Sequence, residues 1–596
     1  EVVDDIISPF LEYSPDNLHV AIATRDDSRL RISSLEAKGR AVRFGAHQLK
    51  FTPIELNDFL SDEYDSQTIQ KLFRITEGWP VAVQMIRSAI SVEGDVDRIL
   101  NNLTGDSTNV AAYLSEEILS KLEPDLQTFL KDISLVDRVD CDFVDYLRQE
   151  NTSHAKFNEA RVLDTLLLPV DNVESTYRLH PLFREHLYEK LTITQATRAK
   201  ALHLRAAEWF SEKGDLVEAV RQCVMADEPQ RSIEFISKAG GVMMWFKEGL
   251  TRLRAIIRLL DDETIMSHWK IALIQCLLDI KDGKINQARQ LYDAIAAQGE
   301  GQIQALQQTE NSPVIPDIVV MDTVLSLYEG KQISESFYRQ LEHIVSQIGP
   351  DEDAAVANYC TFLCVANLQR GRFAEARKYG EMAIPAFMSA SSLYGIAYIH
   401  FHFGDISFAE GNSGAAAKSY QLGLDLTKKH FNDDRGMKLV ANILISELNY
   451  ELNESQQASS LTRTIPKLLE KNEAWFDIHA AGYTTSAHRE FNEHGIDAAL
   501  AIVDRAVSYA NENKLYRLAR LLTFLRIDLL LRAQSIPEAR AELDQSGISI
   551  EDYKSSSKNQ SAWRERDTAV HVITRLLIKE GHYRQALPLL DHFSKQ

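Results

Sequence analysis

Two short stretches carry residue types that could meet a ligand, each a weak signal alone: Thr76-Glu-Gly-Trp-Pro80 and, further along, Tyr177-Arg-Leu-His-Pro-Leu-Phe183. His180, just past an expected hairpin strand, is more often a buried or capping histidine than a ligand. Pro80 suits the first turn of a helix, where a missing N–H costs nothing, and Trp79 suits an apolar plug. Arg25 is the third candidate, because it directly follows the apolar run Leu18-His-Val-Ala-Ile-Ala-Thr24. Open α/β sheets bind ligands beyond the carboxyl ends of their strands, and a planar guanidinium offers several donors to a terminal phosphate. The competing reading of Arg25 is a surface arginine beside Asp26 and Asp27.

Other chemistry is sparse. The sequence contains no Gly-x-x-x-x-Gly-Lys-Ser/Thr phosphate loop, no Gly-x-Ser-x-Gly elbow and no His-Glu-x-x-His zinc motif. His400 and His402 are spaced i, i+2, which sends them to different faces of a helix, so they read as core or groove residues. Cys360 and Cys364 lie one helical turn apart, but no second Cys/His pair accompanies them, and buried thiols are expected. Five scattered cysteines form no disulfide framework and suit a reducing cytoplasm. A formal charge of −21 over 596 residues argues against a nucleic-acid surface in this chain. No apolar run approaches the roughly eighteen residues of a membrane span, so no membrane partner is expected. The start, Glu1-Val-Val-Asp-Asp, is acidic, unlike a signal peptide, and reads as opening in mid-pattern.

The elements that must position these residues follow from periodicity. The run over 18–24 predicts a buried parallel strand. Val3, Ile6, Ile7 and Phe10 predict a helix before it, and a second short strand is expected at Arg40–Phe44. Thr52-Pro-Ile-Glu55 is a capping box, with hydroxyl at N-cap, Pro at N1 and carboxylate at N3. From there the chain is mainly α-helical. The exception is a β-hairpin, Leu166–Val170 and Thr176–Leu179 around a polar turn, placed among helices as in a winged helix. Past residue 197 a small residue followed five positions later by Ala recurs at Gly214, Gly283, Gly371, Gly411 and Gly581, with weaker copies at His494 and Gln534. Such spacing predicts stacked helix pairs, a tetratricopeptide-like (TPR-like) α-solenoid. Its aromatic clusters, Tyr394, Tyr398 and Phe401 with Trp475, Phe476 and Tyr483, fit either a packed core or an effector groove.

In this order the segments resemble the MalT-like regulators, STAND NTPases that usually carry a LuxR-type DNA-binding domain. Leu18–Arg25 resembles the strand and sensor arginine of the family's NTPase domain, and Gly45-Ala-His-Gln-Leu-Lys-Phe-Thr52 the segment entering its helical domain. Gly78-Trp-Pro80 matches a family element. Tyr113–Glu117 and Phe129–Leu135 resemble the start of its winged helix, and Arg178-Leu-His-Pro-Leu-Phe183 that domain's histidine motif. His203–Phe210 with Glu218-Ala219 resembles the first helical repeat. The resemblance implies an NTPase remnant over 1–51, a helical domain over 52–110, a winged helix over 111–196 and a TPR-like sensor over 197–596. It further implies that Pro80 packs on adenine, that His180 faces the ADP β-phosphate and that Arg25 senses nucleotide. The helical repeats would receive a small-molecule inducer or regulatory protein, and ATP with inducer would favour a self-associating form.

Without a phosphate loop the chain alone is expected neither to bind nucleotide tightly nor to act as an enzyme. ATP or ADP with Mg would belong to the intact regulator. DNA contact would come only through a helix-turn-helix domain not found in this sequence. The implied function is the central and regulatory portion of an ATP-dependent transcriptional activator. The alternative is a stand-alone TPR-like scaffold that binds a partner without nucleotide.

Overall fold

Thr52 caps helix α1 (Pro53–Phe59) as expected: its hydroxyl accepts from the Glu55 N–H at 3.2 Å, and its own N–H donates to the Glu55 carboxylate at 2.8 Å. The computed structural model describes residues 10–11, 18–22, 32–44, 46–60, 64–84, 87, 119–163, 166–170, 176–307, 317–347, 353–453, 464–553 and 562–593. The chain divides into two compact units, Glu1–Glu228 and Pro229–Gln596.

The first 51 residues differ from expectation. Residues 18–22 and 41–44 adopt no regular secondary structure, and Leu18, Val20, Ile22, Val42 and Phe44 are exposed. A strand exists only where a neighbour completes its hydrogen-bond ladder, and no described strand lies beside either segment. Buried strands at these two places are therefore not formed. Arg25, most of the helix expected at its N-terminal side, and Tyr113–Glu117 lie outside the described residues.

Helix α2 (Ser66–Thr76) starts at Asp65, whose carboxylate accepts from Thr68 N–H, and stops at Glu77 in the left-handed region (φ 46°). Further on come α3 (Pro124–Ile133), β1 (Val139–Asp140), α4 (Cys141–Arg148) and α5 (Ser153–Glu159). The expected hairpin follows as β2 (Leu167–Pro169) and β3 (Thr176–Leu179), then α6 (Pro181–Thr194). The sheet is antiparallel in the order β1-β3-β2, with Val139 opposite Tyr177 and Leu167 opposite Leu179. Three helices and this small sheet enclose Phe129, Phe157, Leu182, Phe183 and Leu187, all buried, so the winged-helix layout is realised. Strand β1, two residues long, is too short to leave a periodic signal.

Helices α7 (Ala196–Glu212) and α8 (Leu216–Met225) form the first repeat-like pair. Trp209 of α7 sits 6.0 Å from the Phe143 ring and 5.1 Å from that of Tyr146, which welds this pair to the winged helix. The compact division accordingly falls at 228/229, past the boundary at 196/197 that the start of the repeats suggests.

The second unit is helical throughout its described residues. Its main helices are α9 (Trp269–Lys281), α10 (Ile285–Gln307), α11 (Asp317–Tyr328), α12 (Glu335–Gln347), α13 (Asp353–Gln369), α14 (Phe373–Ser389), α15 (Leu393–Ala409) and α16 (Ser413–His430). They continue as α17 (Arg435–Glu451), α18 (Phe476–His494), α19 (Ile496–Glu512), α20 (Tyr516–Arg532), α21 (Ile536–Gln545), α22 (Trp563–Lys579) and α23 (Tyr583–Phe593). The repeat spacing has the expected structural meaning. Gly283, Gly371, Gly411 and Gly581 all have φ between 73° and 81°, closing one helix, and the alanine five residues on is buried each time. At the weaker copies Gln534 itself adopts φ 63°, whereas His494 is the last residue of α18 and Gly495 makes the turn.

Candidate functional site

The Thr76–Pro80 and Tyr177–Phe183 stretches meet in the first unit. Thr76 ends α2 and Trp79 precedes a helix that opens at Pro80; β3 delivers Arg178, and His180 caps α6. Gly78 cannot be another residue without rearrangement, because its φ is 72° and a Cβ would lie 2.1 Å from the Phe51 carbonyl oxygen. The close approach is used: Phe51 N–H donates to Gly78 O at 2.8 Å, tying the segment before α1 to the turn after α2.

His180 is fully buried, its ring 5.4 Å from that of Trp79. Its Nε2 lies 2.9 Å from the Thr76 carbonyl oxygen, which also accepts from Trp79 N–H at 2.8 Å. A carbonyl only accepts, so Nε2 carries the proton and the unpartnered Nδ1 keeps its lone pair. Burial lowers the His180 pKa against the Thr76 hydrogen bond and the Glu77 charge, with Lys50 and Arg178 adding to the lowering, and the ring stays neutral. Beside it, Arg178 grips both oxygens of Glu77, at 2.5 and 2.7 Å. Burial would raise the Glu77 carboxyl, but the Arg178 hydrogen bonds and charge, helped by Lys50, hold it below the usual range. Together these contacts join the helical segment to the winged helix through one carbonyl, one imidazole and one ion pair. Pro80 is exposed at the edge of this junction.

The second unit treats the aromatic candidates differently. Tyr394, Phe401 and Tyr483 are fully buried, and Trp475 and Phe476 nearly so. They pack as core and do not line an open groove. Tyr398, half-buried, donates to Glu473 at 2.6 Å within a polar cluster that sequence reasoning missed. At its centre the Lys281 ammonium pairs with Glu473 and donates to the hydroxyls of Tyr328 and Tyr398 at 2.9 and 3.0 Å. The rings of Trp245, Tyr328 and Tyr398 surround it at 4.8, 5.4 and 4.7 Å. A second buried cluster has Arg564 on Glu447 at 2.5 and 3.2 Å and 3.5 Å from Asp477, with Asp405 close enough to feel its charge. In sequence such residues pass for the charged face of a surface helix. The available signal was a lone Asp405 in α15, a helix apolar on nearly every side.

His402 is buried and its pKa is pushed down to about 4, and four of the five cysteines are buried, in keeping with core roles. Among the described residues one trio, Glu490, Glu493 and His494, could approach a common metal ion, on largely exposed surface. No described helix is long and apolar enough to cross a membrane.

Residues 115–199 match the MalT winged helix domain family. The chain is 28% identical over 247 residues to the serine/threonine-protein kinase PknK of Mycobacterium tuberculosis, covering 41% of this chain and 22% of the kinase. It is 22% identical over 368 residues to the HTH-type transcriptional regulator MalT of Vibrio campbellii, covering 57% of this chain and 40% of that regulator. The matched segments thus span less than half the length of these relatives. A solved STAND protein with a tetratricopeptide repeat sensor from Pyrococcus horikoshii aligns over 91% of this chain and 75% of its own, at 13% identity and a TM-score of 0.42. Residues 115–199 thus form a MalT-type winged helix domain, in a chain similar to a MalT regulator over 57% of its length.

Proposed function

We propose that this chain is the central and regulatory portion of a MalT-type transcriptional activator, in which the helical segment and winged helix form a lid answering to ADP or ATP and the helical repeats sense an inducer or partner protein. The observation that carries the reading is the His180–Thr76 bond, which couples the two motif stretches through a single buried imidazole. The bond ties the stretch that carries Pro80 to His180, both expected to meet nucleotide, so a ligand there shifts the junction by its differential affinity for the joined and parted forms. Similarity to a protein kinase as well as to transcription regulators supports a switch segment that serves different output domains.

In this reading Pro80 and His180 give one edge of a nucleotide site, and the triphosphate cradle belongs to the intact regulator. Pro80 offers an exposed apolar ring and His180 one free nitrogen. With Nε2–H given to Thr76, His180 can donate to a phosphate only after Nδ1 gains a proton. ADP binding by the intact regulator should therefore take up a proton, so its calorimetric enthalpy should change with the ionisation enthalpy of the buffer. At a hundredfold excess over Kd, ADP should add about 2.7 kcal/mol of stability. Replacement His180→Asn should abolish the proton uptake. Saturating ADP that leaves the melting of the intact protein unchanged would sink the switch reading and favour a nucleotide-free scaffold.

A further inference from the structure

A cleft of about 670 Å³ opens in the first unit between Lys50, helix α2 and the β2–β3 hairpin. Its size is that of small-molecule sites, which pair apolar walls with a few convergent polar groups. Phe73, Leu168 and Pro169 supply the apolar wall. Lys50, Arg74 and Arg178 supply three cations against one carboxylate, Glu77, in a chain whose formal charge is −21. Arg178 is committed to both Glu77 oxygens, and Lys50 stands off at 3.6 Å from the nearer one. Arg74, exposed in the last turn of α2, makes no ion pair with a described residue, and Gln70, one turn earlier, offers a neutral amide beside it. The local balance is two positive charges facing an apolar wall. Neither Pro80 nor His180 lines this space.

We infer that this cleft binds a compact organic dianion, a phosphate monoester or a dicarboxylate with a planar or apolar body, held by Arg74 and Lys50 against Phe73, Leu168 and Pro169. An arginine fork suits either oxyanion, and the amide of Gln70 completes the polar side. Arg74 lies on α2 and Lys50 in the segment leading into α1, whereas Leu168, Pro169 and Arg178 belong to the winged helix. Bound ligand therefore clamps the two domains in the joined arrangement. The inference does not depend on nucleotide binding at Pro80 and His180.

The test is calorimetric titration of the chain with phenyl phosphate and, separately, with phthalate, at low ionic strength, where exposed charges are least screened. Saturable one-to-one binding of either probe is expected, at least tenfold weaker in Arg74→Gln and in Lys50→Gln and unchanged in Pro80→Ala. Binding of phenyl phosphate alone assigns the site to phosphate esters, and binding of phthalate alone to dicarboxylates. Arg74 is exposed, so its variant should melt with the wild type, which separates lost binding from lost folding. Absence of saturable binding by both probes, or undiminished affinity in Arg74→Gln, overturns the assignment.

Discussion

Replacing Lys281 by methionine keeps an unbranched side chain one heavy atom shorter and removes its charge, which makes it a probe of the buried cluster in the second unit. The Lys281 and Glu473 side chains are each 1% exposed. The Tyr328 and Tyr398 hydroxyls accept from Lys281 and donate to Glu473 at 2.8 and 2.6 Å, closing a ring of hydrogen bonds. Burial, reinforced by the Glu473 charge, pushes both phenols well above their usual range, so they remain donors. In Lys281→Met the carboxylate keeps its two phenols but loses its cation. Removing one partner of a buried pair typically costs about 3–5 kcal/mol. Contact with the three aromatic rings is partly kept by the thioether, so no further loss is expected.

At roughly 2 cal/mol/K of unfolding entropy per residue, that loss lowers the melting temperature of the second unit by about 4–7 °C in scanning calorimetry. Adding Glu473→Gln removes the orphaned charge, keeps an acceptor oxygen for one phenol and gives an amide N–H to the other, whose oxygen no longer accepts from Lys281, and should bring the double variant to within about 1 kcal/mol of the wild type. The transition should also broaden in the single variant. A solenoid couples neighbours only, and Lys281 and Glu473 are 192 residues apart, so their contact ties distant repeats into one cooperative block. A single variant as stable as the wild type, or a double variant no better than the single, would refute the reasoning.

Three further outcomes follow from the same geometry. Gly78→Ala forces a Cβ to 2.1 Å from the Phe51 carbonyl oxygen at a φ of 72°, and should lower the stability of the first unit by at least about 2 kcal/mol in denaturant titration. His180 has a depressed pKa, so its contribution is fully present above pH 6.5 and is lost as the pH falls below that value; His180→Asn should flatten the dependence of first-unit melting between pH 7 and 5. Burial pushes Asp405 up to about 8, Arg564 pulling it down and Asp477 and Glu447 pushing it up, with the Tyr420 hydroxyl bonded to Oδ1. A raised carboxyl pKa stabilises fully below about pH 4 and progressively less as the pH rises towards 8. Asp405→Asn, which mimics the protonated acid, should therefore be at least as stable as the wild type at pH 8 and should remove part of that slope.

What the sequence disclosed is what local physics encodes. The capping box at Thr52, the left-handed turns at Gly371 and Gly411 and the pairing of β2 with β3 each depend on residues close in sequence, so their chemistry is readable in one window. The meeting of Thr76 with His180 spans 104 residues, and only the resemblance of the two motifs to a known family suggested that they belong together. Expectation failed where a local pattern needs a distant partner. An apolar run at 18–22 is strand-like in composition, but composition supplies no neighbouring strand.

The aromatic residues of the repeats fail for a related reason. Tyr394 and Tyr483 are equally good groove or core residues until the curvature of the stack is known, and curvature is set by many small helix-to-helix rotations. Here the packing is close enough that Gly404 and Gly423 meet the rings of Tyr420 and Phe401 with no room for a methyl group. Tight helix contacts of this kind draw aromatic side chains inward and leave the polar groups among them to satisfy one another. That is why Lys281, Glu473, Arg564 and Glu447 pair across the second unit. Under the proposed sensing role, an effector would act either on exposed faces of these repeats or by prising open such pairs. Lys281→Met distinguishes the two, because a weakened pair lowers the cost of opening and should raise effector affinity only in the second case.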